Sequence, residues 1–236
     1  MGGFDKLTTG KLSIVATPIG NLEDITLRAL RTFKEADVIY AEDTRVISKL
    51  FSRYEIRKPL QRLDAAAEIK KAEEIIDRLL VGEKVVFVSD AGTPGVSDPG
   101  SRLVAHIRTN MSQARIEAIP GASALTAALS IAGIDATKFL FMGFLPHKKG
   151  RQTALKKIVA CEMPVVLYES PHRILKLLKE LQAHSGERCK VTIARELTKI
   201  HEEVITGTPN ELTRQIEEKG TARGEFVVII EPTRSK

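Results

Sequence analysis

Val85–Gly100 reads VVFVSDAGTPGVSDPG. It opens as an apolar strand and then places Gly92, Pro94, Gly95, Pro99 and Gly100 in one loop, with Asp90 and Asp98 inside it. A strand-to-helix connection usually takes about 2–6 residues, so this loop is longer and stiffer than a connector requires. Glycine permits positive φ and leaves no side chain between backbone and ligand, while proline fixes φ and removes a donor. The stretch therefore predicts a rigid ribbon that offers main-chain carbonyls and amides to a bound group. A rigid turn that caps a sheet is the structural alternative.

Working outward, the apolar runs KLSIVA, DVIYA, KVVFVS, RIEAI and KFLFMGF predict strands in the first 145 residues. Between them lie helical patterns such as AEIKKAEEIIDRLL, in which Ile69, Ala72, Ile75, Ile76, Leu79 and Leu80 are expected on one buried face. Alternating units of this kind argue for a mostly parallel sheet covered on both sides. Near GFLPHKKG a proline, a glycine and a basic cluster interrupt the pattern, which places a domain boundary there. Beyond it, PVVLYE, KVTIARE, EEVITG and EFVVIIE read as strands. SPHRILKLLKEL and TPNELTRQIEEK read as helices, capped by Ser170 before Pro171 and by a Thr208–Pro209–Glu211 capping box.

Four loops follow strands directly, where open parallel sheets present ligand crevices. They are TPIGNLEDIT, EDTR, SDAGTPGVSDPG and PGASALTAA. Neither GxGxxG nor GxxxxGK[ST] occurs, which argues against an ordinary dehydrogenase or a kinase. In EDTR, Asp43, Thr44 and Arg45 are candidate substrate contacts, with a helix cap as the bland alternative. His172 and Arg173 in ESPHR fall in a first helical turn, where cations oppose the helix dipole, and this hints at a ligand or an anion nearby. Arg195, Glu196 and Lys199 in ARELTK stand just past a strand, with surface ion pairing as the alternative.

The 236 residues suffice for one large or two modest domains. Cys161 and Cys189 are far apart and lack ligand spacing, so buried free thiols are expected, with neither a disulfide nor a metal site. The N-terminus lacks the order of a signal peptide and no long apolar run occurs, which points to a cytoplasmic protein. Residues 1–145 hold 19 Lys+Arg against 18 acids, and residues 146–236 hold 17 against 12, so the net charge of +6 lies mainly in the C-terminal part. That bias points weakly to an anionic partner.

In order and spacing, ATPIGNLEDIT, AEDTR, SDAGTPGVSDPG, PGASA, GFLP, YESPHR, ARELTK and RGEFVVII resemble the tetrapyrrole-methylase superfamily, over Lys11 to Glu231. The resemblance implies an α/β protein with a domain over 1–145, a second over 146–236, a cofactor cleft between them, S-adenosylmethionine as cofactor, and a homodimer. The motifs are similar to those of the branch that methylates a cytidine ribose 2′-hydroxyl in small-subunit ribosomal RNA, which would be the partner. Motif matching places cofactor contacts at Pro18, Asp90, Gly92, Thr93, Pro94, Val96, Ser97, Asp98, Ser123, Ala124, Tyr168 and Glu169. Removing a hydroxyl proton needs a base and charge stabilisation, for which Glu169 and the pair Lys199 and Arg195 are the expected groups.

One segment departs from the family pattern. Where members commonly show His-x-His-Asn-Glu, this chain has Asp64-Ala65-Ala66-Ala67-Glu68 and keeps only the glutamate. The chain also stops soon after its last strand, where relatives often continue. Two other readings therefore stay open: a methylase of the same fold acting on a small tetrapyrrole, and a ribosome-binding protein with a relic cofactor pocket.

Overall fold

The computed structural model describes residues 10–64 and 67–232. Contacts divide the chain into two units, Met1–Ser123 and Ala124–Lys236, each built around its own five-stranded sheet.

In the first unit β1 (Lys11–Val15), β2 (Val38–Ala41), β3 (Leu60–Arg62), β4 (Lys84–Val88) and β5 (Arg115–Ile119) form a wholly parallel sheet in the order β3-β2-β4-β1-β5. Four helices cover it: α1 (Leu27–Glu35), α2 (Thr44–Arg53), α3 (Glu68–Leu80) and α4 (Ser101–Asn110). The apolar run of β4 follows from its central place. Val85 and Phe87 pack with Ile75, Leu79, Leu103 and Ile107 of α3 and α4, while Val86 and Val88 pack with Phe33, Ile47 and Leu50 of α1 and α2. Each such side chain, once fully buried, is worth about 1.5–3 kcal/mol.

Two details of the sequence reading change. β3, with the sequence LQR, is short and half polar and carries no strand signal of its own; it pairs with β2 at the sheet edge. On α3, Ala72, Ile75, Ile76 and Leu79 are buried, but Ile69 and Leu80 stand 47% and 53% exposed. At 3.6 residues per turn these two lie roughly 70–90° from the centre of the buried stripe.

Glu68, at the start of α3, is 2% exposed. Its Oε1 accepts hydrogen bonds from the backbone N–H groups of Gly100 (2.8 Å) and Leu103 (2.9 Å), so a carboxyl from one helix caps the next. Gly100 has φ +122°, and a Cβ there would stand 2.7 Å from the Phe87 ring. The one residue kept from the family's polar pattern thus acts inside the protein. Ala65 and Ala66 of that departure lie outside the described residues.

The second unit comprises α5 (Ala124–Ile131), β6 (Leu140–Phe144), α6 (Arg151–Val159), β7 (Val165–Glu169), α7 (Ile174–Ser185), β8 (Val191–Arg195), β9 (Glu203–Gly207), α8 (Pro209–Lys219) and β10 (Phe226–Ile230). Its sheet runs β6-β7-β10-β8-β9, with β6 and β7 parallel and the other pairs antiparallel. Leu155, Ile158, Leu177, Leu178, Leu181, Leu212 and Ile216 of α6, α7 and α8 pack on Leu167, Val191, Ile193 and Val228. The division falls after Ser123, earlier than residue 145, because β6 hydrogen-bonds to β7 and α5 lies against β10.

The capping box of α8 forms as read, with Thr208 Oγ1 accepting from Glu211 N and Glu211 reaching back to Thr208 N. The start of α7 does not. Ser170–Arg173 make a separate turn, in which Arg173 N and Ile174 N both bond to Ser170 O, and the helix begins at Ile174. Both cysteines are free; Cys189 is buried but Cys161 is only half-buried. Among the described residues no helix is long and apolar enough to cross a membrane, and no His/Cys/Asp/Glu group could hold a metal ion.

Removing the Glu68 cap orphans two N–H groups at the start of α4. Glu68→Ala is expected to lower stability by about 1–3 kcal/mol, whereas Glu68→Gln keeps an acceptor oxygen and should lose clearly less. Thermal and urea denaturation of the two variants beside the parent checks this, and equal losses would remove the capping role.

Candidate active site

In the first unit the loops after β1, β2, β4 and β5 leave the same, carboxyl, edge of the parallel sheet and are tied together there. Thr17 and Gly92 exchange two backbone hydrogen bonds, at 2.9 and 3.0 Å. Thr93 Oγ1 donates to Ala122 O at 3.2 Å, and Asp43 N donates to Asp90 Oδ1 at 2.9 Å. Gly92 and Gly95 adopt φ of +76° and +84°, which a side chain would strain. Ser97 holds φ +64° without being glycine, a conformation that costs energy and tends to occur at binding sites.

The edge therefore gathers Pro18, the whole 90–98 ribbon and Ser123. Pro18, Gly92 and Pro94 are buried, Val96 and Asp98 half-buried, and Asp90 and Ser97 face solvent. Ala124 instead opens α5 in the second unit.

This edge is acidic. Glu42 is pushed above the ordinary carboxylate range by burial and by the neighbouring charges of Asp90 and Asp98. Asp98 is raised by burial, opposed by a hydrogen bond from Ser89, with Asp90 adding to the rise. Glu42 is the residue sequence reasoning misses, since its nearness to Asp90 and Asp98 exists only in the folded sheet. The neighbouring Asp43 is held down at about 2 by its bonds to Arg45. Asp43 caps α2 by accepting from Arg45 N, and Arg45 folds back onto the same carboxylate, so Asp43, Thr44 and Arg45 open a helix at this edge.

In the second unit, Glu169, Phe226, Arg195 and Glu203 stand in register across β7, β10, β8 and β9. Glu169 and Arg195 are thus two strands apart, about 10 Å. The Glu169 side chain has no exposed surface. It accepts from Ser170 N (2.8 Å), pairs with Arg173 Nε (3.2 Å) and lies 3.9 Å from Arg151 Nη1, which is in turn on the guanidinium bound to Glu180. Arg173 also donates to Leu145 O (2.5 Å) and meets His147 Nε2 at 3.4 Å. Of the expected substrate contacts here, Arg173 is largely spent inside the protein and His172 is exposed. Tyr168 is set edge-on against Phe141 and Phe144, with ring centroids 5.0 and 5.7 Å away.

The loop after β8 is held under strain, with Glu196 and Thr198 at φ +51° and +65°. A Cβ on Gly224 would stand 2.5 Å from the Glu196 side chain, so glycine is what lets the two loops close on each other. Lys199 Nζ donates to Glu196 (2.8 Å) and Glu225 (3.0 Å). Burial alone would lower the Lys199 pKa, but these two carboxylates carry it above its usual value. Arg195 Nε is 3.5 Å from Glu203.

Residues 11–213 match the Tetrapyrrole (Corrin/Porphyrin) Methylases, and the chain belongs to that family. It is 43% identical, over 94% of its length and 98% of the relative's, to Ribosomal RNA small subunit methyltransferase I of Thermotoga maritima. It is 44% identical to the protein of the same name from Haemophilus influenzae, over 94% of this chain and 79% of that one. Among solved structures, a cobalt precorrin-4 methyltransferase of cobalamin biosynthesis aligns with a TM-score of 0.70 over 97% of this chain and 98% of that one, at 19% identity, a likeness of fold.

The raised Glu42 pKa has a definite sign. Folding disfavours its ionised form, so the penalty is absent below the ordinary value near 4.5 and complete above the raised one. Glu42→Gln is expected to melt higher than the parent at pH 7–8 and to converge with it as pH falls toward 4. A thermal-melt series across that range checks this; a difference independent of pH would remove the electrostatic account.

Proposed function

We propose that this protein transfers a methyl group from S-adenosylmethionine to the ribose 2′-hydroxyl of a cytidine in small-subunit ribosomal RNA. The observation that carries this reading is the 43% identity spanning 94% of the chain and 98% of the Thermotoga relative.

The first unit fits such a cofactor on physical grounds. S-adenosylmethionine carries positive charge on its sulfonium and its amino group. An edge where Glu42, Asp90 and Asp98 already crowd each other gains from a cation and would repel the phosphates of a nucleotide cofactor. The Gly92–Gly95 ribbon brings backbone rather than side chains to such a ligand. Pro18, Thr93, Pro94, Val96, Ser97 and Ser123 would hold it by shape and main-chain contact.

When bound, the cofactor supplies an electrophilic methyl on its sulfur. The chain's own residues have to align the acceptor hydroxyl and stabilise negative charge as its proton leaves. In this reading Lys199 stabilises that oxygen, because Glu196 and Glu225 keep its ammonium protonated, and Arg195 adds charge from the end of β8. In this reading the hydroxyl proton passes to solvent water, and Glu169, enclosed by two arginines, acts as a positioning group that fixes Arg173 and the Ser170–Arg173 turn.

The test uses tritiated S-adenosylmethionine and small subunits that lack the modification. Label should enter a cytidine ribose, and Lys199→Ala should cut kcat by about 100-fold or more while calorimetric affinity for the cofactor stays within about twofold. No transfer to RNA, with transfer to a tetrapyrrole instead, would overturn the RNA reading; near-normal turnover by Lys199→Ala would remove its role.

A further inference from the structure

The net charge of this protein has one address. Residues 145–179 hold eight Lys and Arg against two acids, a surplus of six, whereas the rest of the chain holds 28 of each. The whole excess of +6 therefore lies in one continuous segment: the β6–α6 loop, α6, β7 and the beginning of α7.

Folding sorts those eight cations into two sets. Arg151 and Arg173 turn inward to Glu169 and Glu180, and Lys179 pairs with Glu217. Lys148, Lys149, Lys156, Lys157 and Lys176 are exposed and have no ion-pair partner among the described residues. The segment's two acids do not offset them: Glu169 is buried against arginine, and only Glu162 is exposed.

The fold also makes the second set a surface. β6 and β7 are parallel neighbours, so the loops that carry Lys148, Lys149 and His172 leave the sheet at the same edge, and the Arg173 bond to Leu145 O ties them together. α6 and α7 pack side by side from that edge. Lys156 and Lys157 lie in the last turn of α6, about 9 Å along the axis from its start. Neither helix has an acid in its first turn, so the positive ends of their dipoles add the same sign.

We propose that this face, carrying Lys148, Lys149, Lys156, Lys157 and Lys176, is where the protein grips the phosphate backbone of its RNA. The assignment rests on the small-subunit RNA reading above and says which surface serves it. Unpaired lysines on a rigid helical frame suit a polyanion, because each phosphate neutralised releases counterions and no desolvated ion pair must first be broken. Catalysis and cofactor binding use other residues, so this surface sets affinity and orientation.

The test compares Lys148→Gln/Lys149→Gln and Lys156→Gln/Lys157→Gln with a control double on α1, Arg31→Gln/Lys34→Gln, whose residues are likewise exposed. Binding to protein-free small-subunit RNA is measured against potassium chloride concentration, cofactor affinity by calorimetry, and methyl transfer on the same preparations. Each patch double should lose roughly tenfold in RNA affinity, and its slope of log K on log salt should flatten by about 1.4. The control should stay within twofold, with melting temperature and cofactor affinity unchanged throughout. Patch doubles that bind like the control while the parent methylates RNA would overturn the surface alone. A parent that binds RNA through these lysines yet transfers no methyl would support the surface and remove the reaction. Loss confined to phosphatidylglycerol vesicles, with RNA binding intact, would give the face to a membrane and overturn the proposal.

Discussion

A buried carboxyl, Glu68, holds the loop edge of the first unit in shape. Glu68 sits on α3, yet its hydrogen bonds go to Gly100 and Leu103, where the long glycine loop turns into α4. At the loop's other end Gly92 is bonded to Thr17 as if the two were strand residues. Between these pins the chain runs through positive φ at Gly95 and Ser97, a course that backbone energetics alone would not choose. Fixing both ends lets a ribbon with few side chains keep one conformation, as recognition through main-chain atoms demands. A looser loop would spend binding energy on ordering itself.

The two units differ in their electrostatics. The carboxyl edge of the first sheet gathers Glu42, Asp90 and Asp98, and burial, with neighbouring negative charge adding to it, pushes Glu42 and Asp98 up in pKa. The second unit carries the chain's surplus of positive charge within residues 145–179. The acidic edge and the basic segment therefore lie in different units of one chain. The uneven distribution also explains why the overall net charge says little by itself.

Much of the fold was legible because its signals were local. Central strands such as VVFV announce themselves by continuous apolarity, and Thr208, Pro209 and Glu211 specify the start of α8 within four residues. Two of the misreadings share one cause, long-range pairing. LQR becomes β3 because β2 is beside it, and Leu140–Phe144 joins the second unit because β7 is its neighbour. α6 was hidden under RQTALKKIV, whose lysines read as a basic cluster and whose buried side includes an arginine. The candidate site divides the same way. The glycine loop was visible by composition, whereas the role of Glu42 depends on two aspartates at least 48 positions away.

The YESPHR motif shows what a sequence motif can mean physically. Its apparent signal was two cations placed against a helix dipole, which suggested an external anion. The anion that Arg173 meets is internal: Glu169, four residues earlier, with no exposed surface. Arg173 is bonded to that carboxylate and to Leu145 O, Ser170–Arg173 form their own turn, and α7 begins at Ile174. Breaking a buried pair by removing one partner leaves the other charge uncompensated, at a cost of about 3–5 kcal/mol. The pair therefore clamps the β6–α6 loop to the end of β7, and so fixes the spacing between Lys148–Lys149 and the first turn of α7. Arg173 is thus part of the frame on which the exposed cations are mounted.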